Sequence, residues 1–193
     1  MKAIIFDFDG VIGDTKEINY SISKLTNPDL TVKKFEDHHN GNVFEKPLFS
    51  SPDNFHELQK ERFTKDNLFP LVDEIKAFSD NYLLFVVSSS REDNIEHFLA
   101  LGNVKTCFQE ILGSGFHTSK VEKFKYIFNK YDLSNEDCVF ITDTIGDVKE
   151  ARQVHLRSIA VTWGYHARDV LESEKPFKTV SEFDEVKEIV ESM

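Results

Sequence analysis

Cysteine is nearly missing from this sequence. Cys107 and Cys138 are its only two, and neither stands in a Cys-x-x-Cys pair. That excludes a disulfide framework and a structural zinc site, and a reducing compartment is expected. Glycine and proline are scarce, at 8 and 5 residues, which argues against a fibrous or disordered chain. No window reaches the roughly 18 uninterrupted apolar residues of a membrane-spanning helix. The opening MKAIIFDFDG lacks a long apolar core and meets its first acid at Asp7, so no signal peptide is expected. Positive charge is also short: 23 Lys and Arg face 34 Asp and Glu, a net charge of -11. Phosphate backbones and anionic membranes repel such a chain, so neither a nucleic acid polymer nor a membrane surface is an expected partner. Small anionic substrates stay open wherever local groups reverse the sign of the field. The expectation is a soluble, cytoplasmic protein, and with no coiled-coil or apolar seam legible it is a monomer.

What is plentiful is phenylalanine, 18 residues against a single Trp, which reads as core filling. At 193 residues, 40% of them hydrophobic, the chain can bury a sizeable core as one large or two small domains. Short apolar runs stand at Ala3 to Phe6, Tyr82 to Val87, Cys138 to Ile141 and Ser158 to Val161. Helical patterns lie between them at Leu71 to Ser79, Glu92 to Leu101, Val121 to Tyr131 and Val148 to Val154. Strands alternating with helices imply an α/β fold, a Rossmann-like parallel sheet covered on both faces in three layers. A last strand is expected at Val180, passing through a Ser181 N-cap into a helix over Phe183 to Val190. Residues 15–67 break this rhythm with turn signals at Asn27-Pro28, Asn40-Gly41 and Ser51-Pro52 and with helical spacing at Ile18, Ile22 and Leu25. They read as a small all-helical insert after the first strand, leaving residues 1–14 and 68–193 as the core.

Ligands of open parallel sheets gather outside the carboxyl ends of the strands. The first strand delivers Asp7, Asp9 and Gly10 there, the second Ser88, and the third Asp143 with Asp147 four residues on. A lysine, Lys120 or Lys123, opens the helix before the third of these strands; Ser119 as an N-cap favours Lys120. Several carboxylates at one place need a cation, because like charges suppress one another's ionisation. Oxygen-only ligands of this kind suit Mg²⁺, and a Ser hydroxyl with a Lys ammonium would serve the remaining oxygens of a phosphoryl group. The set describes phosphoryl transfer. Asp7 and Asp9 can lie on one side of an extended turn, one to attack phosphorus and the other to protonate the leaving oxygen. Gly10 would let the backbone pass close to the phosphate.

Phe6-Asp7-Phe8-Asp9-Gly10-Val11-Ile12 with Asp14-Thr15, the serine after Phe85-Val86-Val87, Lys120, and Asp143-Thr144-Ile145-Gly146-Asp147 together resemble the four motifs of the haloacid dehalogenase (HAD) superfamily, in its phosphoglycolate phosphatase and β-phosphoglucomutase-like branch. The resemblance covers residues 1–14 and 68–193 and fades in the insert, which stands where that branch carries its C1 helical cap. It implies Asp7 as nucleophile and metal ligand, and Asp9 as general acid and base whose backbone carbonyl also serves the metal. Ser88 and the N–H of Ser89 would hold phosphate oxygens, and Lys120 would bridge nucleophile and phosphate. Asp143 would be a metal ligand and Asp147 a ligand or an orienting neighbour. Members that act as dehalogenases lack an acid at the second aspartate, so Asp9 favours phosphate chemistry. Thr142 departs from the family's usual glycine, and is expected to alter packing alone.

The implied activity is a Mg²⁺-dependent phosphomonoesterase acting on a small phosphorylated metabolite through an aspartyl-phosphate. Its rivals are a sugar-phosphate mutase, made less fitting by Asn19 where such mutases carry His, and a HAD-fold binding protein without turnover. Other residues admit blander readings. Asp14 and Thr15 could cap a helix or serve a hinge, Arg91 is read as a surface residue, and His38-His39 as an exposed turn or a contact to the leaving group. Trp163-Gly164-Tyr165 is read as packing or as part of the site mouth.

Overall fold

The computed structural model describes residues 2–193. Its centre is a six-stranded, all-parallel sheet in the order β3-β2-β1-β4-β5-β6. The strands are β1 (Ala3–Phe6), β2 (Leu83–Val87), β3 (Phe108–Leu112), β4 (Cys138–Thr142), β5 (Arg157–Val161) and β6 (Lys178–Val180). Alternate residues of a strand point to opposite faces, and the core divides accordingly. Ile4, Phe6, Leu84, Val86, Val139 and Ile141 face α4 (Leu71–Ser79), α5 (Glu92–Leu101) and α9 (Phe183–Ser192). Ala3, Ile5, Phe85, Val87, Cys138 and Phe140 face α6 (Lys120–Tyr131) and α7 (Ile145–Gln153). Near the edge, α8 (Arg168–Ser173) sets Leu171 against Ala160 and Ile145. This is the expected three-layer Rossmann-like sheet. The helices form because their apolar residues recur on one side; α4 buries Leu71, Val72, Ile75 and Phe78, the spacing of one helical face. Each fully buried side chain of this kind contributes roughly 1.5–3 kcal/mol.

The strand β3 was not legible in advance. Its sequence FQEIL carries Gln109 and Glu110 in the middle, because it is an edge strand with one side open to solvent. Glu110 accepts hydrogen bonds there from Lys130 and Tyr131. Helix α7 begins three residues before the expected Val148, since Thr144 takes the N-cap position and accepts from the Asp147 N–H (3.4 Å). At the C-terminal helix the N-cap is Glu182, with Glu185 reaching back to its N–H, and Ser181 lies one residue outside.

Between β1 and α4 the chain forms α1 (Lys16–Ser23), α2 (Val32–Asp37) and α3 (Phe55–Arg62), with irregular backbone over residues 41–54. Phe63, just after α3, stacks on Phe98 of α5 at 4.0 Å between ring centroids and packs on Phe8 at 6.0 Å. These rings tie the segment to the sheet helices. Neither Asp14 nor Thr15 caps α1; Asp14 is exposed, and Thr15 Oγ1 pairs instead with the Tyr165 hydroxyl (3.3 Å). Among the described residues no helix is long and apolar enough to cross a membrane.

Candidate active site

All four strand-end groups converge. Asp7 follows β1 directly, its N–H donating to Ile141 O of the neighbouring strand (2.9 Å), so its side chain leaves the sheet at the carboxyl edge. Asp7 Oδ1 accepts from the Phe8 N–H (2.7 Å) and Oδ2 from Lys120 Nζ (2.8 Å). Lys120 also donates to Asp147 Oδ2 (2.6 Å), which accepts from Thr142 Oγ1 at 2.7 Å. Lys120 is thus a bridge between two carboxylates, and all three side chains are buried. Thr142, standing where a glycine was the usual residue, holds Asp147. Lys123 is not the solvated residue its alternative reading allowed. It is fully buried, and its Nζ donates to the backbone carbonyl of Ser88 (2.6 Å), stiffening the end of β2. Burial and the Lys120 charge lower its pKa to about 8.

The loop after β1 is tight. Phe8 O accepts from Val11, Ile12 and Gly13 N–H groups, and Gly10 adopts φ +72°. A Cβ at Gly10 would lie 1.9 Å from Asp143 Oδ2, so the glycine is required by conformation and by space alike. This turn presents Asp9 to a different set of partners. Asp9 Oδ2 accepts from Ser90 Oγ (2.6 Å) and more weakly from Ser88 Oγ (3.4 Å). Its Oδ1 accepts from Asn19 Nδ2 at 3.2 Å, with Gln59 Nε2 at 3.5 Å. Behind these lies a chain of buried amides: Asn94 donates to Gln59 Oε1 (2.6 Å) and Gln59 to Asn19 Oδ1 (2.9 Å). Every partner of Asp9 is neutral, whereas Asp7 rests on a lysine.

Asp143 is fully buried; its Oδ2 accepts from the Tyr165 N–H (2.7 Å), and its Oδ1 has no hydrogen-bond partner. Burial raises the Asp143 carboxyl to about 8. It also raises Asp7 well above the carboxylate range, where Asp147 and Asp143 add repulsion that Lys120 only partly offsets. Burial pushes Asp147 the same way, but the Lys120 charge and the Lys120 and Thr142 hydrogen bonds overcome it and hold the group low. Lys120 loses to burial and gains more from Asp147 and Asp7, so it stays protonated. A cluster in this state lacks positive charge. The orphaned Oδ1 of Asp143 and the raised carboxyls fit a hard cation bound by oxygen. Among the described residues no three His, Cys, Asp or Glu side chains enclose a common point.

These groups floor a cavity of about 660 Å³ whose opposite wall comes from residues 19–56. Ser89, His38, His39 and Tyr165 also line it. Tyr165 is buried against the cavity, its hydroxyl accepting from Asn19 Nδ2 (2.8 Å), while Trp163 packs on Phe183 at 4.4 Å. His38 and His39 lie in a short 3-10 turn and are part-buried, His39 Nδ1 bonding the Phe35 carbonyl (3.0 Å). Arg91 is exposed and pairs with Asp93.

Besides Ser90, three helical contributors were not anticipated: Gln59, Asn94 and Glu150. Glu150 Oε1 accepts from the Lys120 N–H (2.9 Å) and the Ser119 hydroxyl (3.3 Å), so Ser119 occupies the N-cap position without capping. Each is a polar residue on the buried side of its helix, and that placement was the available signal.

A Rossmann-like sheet with an acidic, lysine-bridged pocket at its strand ends defines a class of α/β enzyme. Residues 4–161 match the haloacid dehalogenase-like hydrolase family, and the chain belongs to it. It is 27% identical over 187 residues to a phosphoglycolate phosphatase of Synechococcus elongatus, covering 89% of this chain and 88% of that one. Its fold is similar to a haloacid dehalogenase-like hydrolase of Streptococcus pneumoniae (TM-score 0.78, 20% identity, 98% of each chain). A hydrolase of Pseudomonas syringae superposes with a TM-score of 0.81 at 14% identity, covering 100% of this chain and 99% of the other.

Proposed function

We propose that this hydrolase is a Mg²⁺-dependent phosphatase of small phosphomonoesters, with Asp7 as nucleophile and Asp9 as general acid and base. The observation that carries the reading is the contrast between the two aspartates, which share one turn and one cavity. Asp7 is held by the Lys120 ammonium and Asp9 by neutral amides and hydroxyls. Separate environments let two carboxyls of one site take different roles, one beside a cation and the other among neutral hydrogen-bond donors.

In this reading Asp7 attacks phosphorus in line and forms an aspartyl-phosphate, Asp9 protonates the departing alcohol, and Asp9 then takes a proton from the water that cleaves the acyl phosphate. Lys120 neutralises charge on Asp7 and on the transferred group. The Ser88 hydroxyl and the Ser89 N–H, at the end of β2, serve the remaining phosphate oxygens. Asp7, Asp143 and the Asp9 carbonyl would hold Mg²⁺, whose bound charge would stabilise the phosphoryl oxygens. Asp147 Oδ2 is engaged by Lys120 and Thr142, which fits it to orient the lysine. Residues 15–67 act as a cap that excludes bulk water. Asn19 donates to Asp9 with an amide that cannot relay a proton, which favours hydrolysis over phosphoryl return to the substrate.

The test is inorganic phosphate release from a panel of small phosphomonoesters, with Mg²⁺ or with EDTA. Release that needs the metal and disappears in Asp7→Asn is expected. Release unaffected by Asp7→Asn would overturn the assignment, and an isomerised product without free phosphate would establish the mutase.

A further inference from the structure

The catalytic reading uses one half of the cavity. The other half is built by residues 35–56, and there, among the described residues, Asp53 is the single formally charged side chain on the wall. Lys120 is the one lysine or arginine anywhere on the cavity surface, and its ammonium is committed to Asp7 and Asp147. Burial holds His38 and His56 below their ordinary range and takes His39 to about 3. A carboxylate or second phosphate on the leaving group would therefore be desolvated beside Asp9 and Asp53 with no second lysine or arginine to meet it.

This wall offers ring faces beside a few polar groups, Asn42, Ser50, Ser51 and the His56 Nδ1, which has no hydrogen-bond partner. Phe35 and Phe49 stack at 5.9 Å, and His38 lies 4.5 Å from Phe49. Phe44 and Leu48 are each 43% exposed, and both line the cavity. Apolar side chains left open on a concave wall mark a surface that a ligand covers. At about 660 Å³ the space also exceeds the needs of a two-carbon ester.

We propose that the substrate is the monophosphate ester of an uncharged alcohol bearing an aromatic ring, seated between Phe44, Leu48 and Phe49 with its phosphate on the strand-end carboxylates. This rests on the phosphatase reading. Water cleaves the P–O ester bond, giving the neutral ring alcohol and inorganic phosphate. The assignment separates this chain from its Synechococcus relative, since phosphoglycolate carries a carboxylate beside its phosphate.

Benzyl phosphate, para-carboxybenzyl phosphate, phosphoglycolate and a hexose monophosphate test it, each assayed for kcat/KM with Mg²⁺. Benzyl phosphate is expected to lead the other three by about tenfold or more. In Phe49→Ala the benzyl-to-hexose ratio is expected to fall about tenfold. Equal or faster turnover of either carboxylated ester, or of the hexose ester, overturns the proposal. Calorimetric binding of benzylphosphonate and phosphonoacetate to the wild type separates the two levels of the argument. Tighter benzylphosphonate binding without turnover of any ester would sink the phosphatase reading and leave the ring site standing. Equal or reversed binding removes the ring site whatever the turnover.

Discussion

The two walls of the cavity are built on opposite principles. The strand-end floor is polar, buried and almost fully hydrogen-bonded: Asp7, Lys120, Asp143 and Asp147 are each under a tenth exposed, and Asp143 Oδ1 is the one orphaned oxygen among them. The facing wall mixes phenylalanine and histidine rings with aliphatic and small polar side chains, and Phe44 and Leu48 stand open on irregular backbone. On the floor, strands bonded to their neighbours set each Cα, so a charge can be held against its partner to within a hydrogen-bond length. The facing wall takes its shape from side-chain packing. Under the proposed function this is a division of labour, in which chemistry resides where backbone bonding is densest and selectivity where side chains alone define the surface.

The largest effect that could break this comparison is on the floor. Asp7→Asn is expected to lower kcat by about 10³-fold or more while the melting temperature holds or rises, because ionised Asp7 is disfavoured by its burial. A large fall in stability instead would make Asp7 structural. Lys120→Met follows, with kcat expected to drop by about 10²-fold and stability to fall, as Asp7 and Asp147 lose their shared cation.

Gln59→Leu probes the join between the two walls. It leaves the amides of Asn19 and Asn94 short of partners, a loss of about 1–3 kcal/mol in chemical denaturation, with kcat about tenfold lower and KM little changed. A change confined to KM would put Gln59 on the substrate and not behind Asp9.

Acid sensitivity should come from the cap side. His39 has a folded pKa of about 3, below its ordinary 6.5. Below pH 6.5 the unfolded chain therefore binds more protons, so this contribution is whole above that pH and drains as pH falls toward 3. It amounts to about 2 kcal/mol between pH 6.5 and 5, measurable as a drop in melting temperature. His39→Asn should flatten that slope, and an unchanged slope would place the acid sensitivity elsewhere. The smallest effect belongs to Arg91→Ala. Its exposed pair with Asp93 should leave turnover within about twofold.

The sequence by itself determined five of the six strands and most of the floor. Apolar runs at β1, β2 and β4 each end in the polar residues that form the pocket, since a strand buried on both faces must be apolar throughout and can expose chemistry only at its end. The sequence favoured Lys120 over Lys123 as the partner of Asp7, and the tertiary structure showed what each lysine does. Lys120 and Lys123 stand three residues apart on one helical face, both are buried, and periodicity cannot tell them apart; the position of α6 against β1 and β2 sends one to Asp7 and the other to Ser88 O. The amide chain through Asn19, Gln59 and Asn94 was hidden, because its members come from three separate helices. Glu110 hid β3 for a related reason: an edge strand tolerates polar residues that a central one excludes. A strand end can be read from the local run that precedes it, but a contact between distant segments exists only once packing has brought them together.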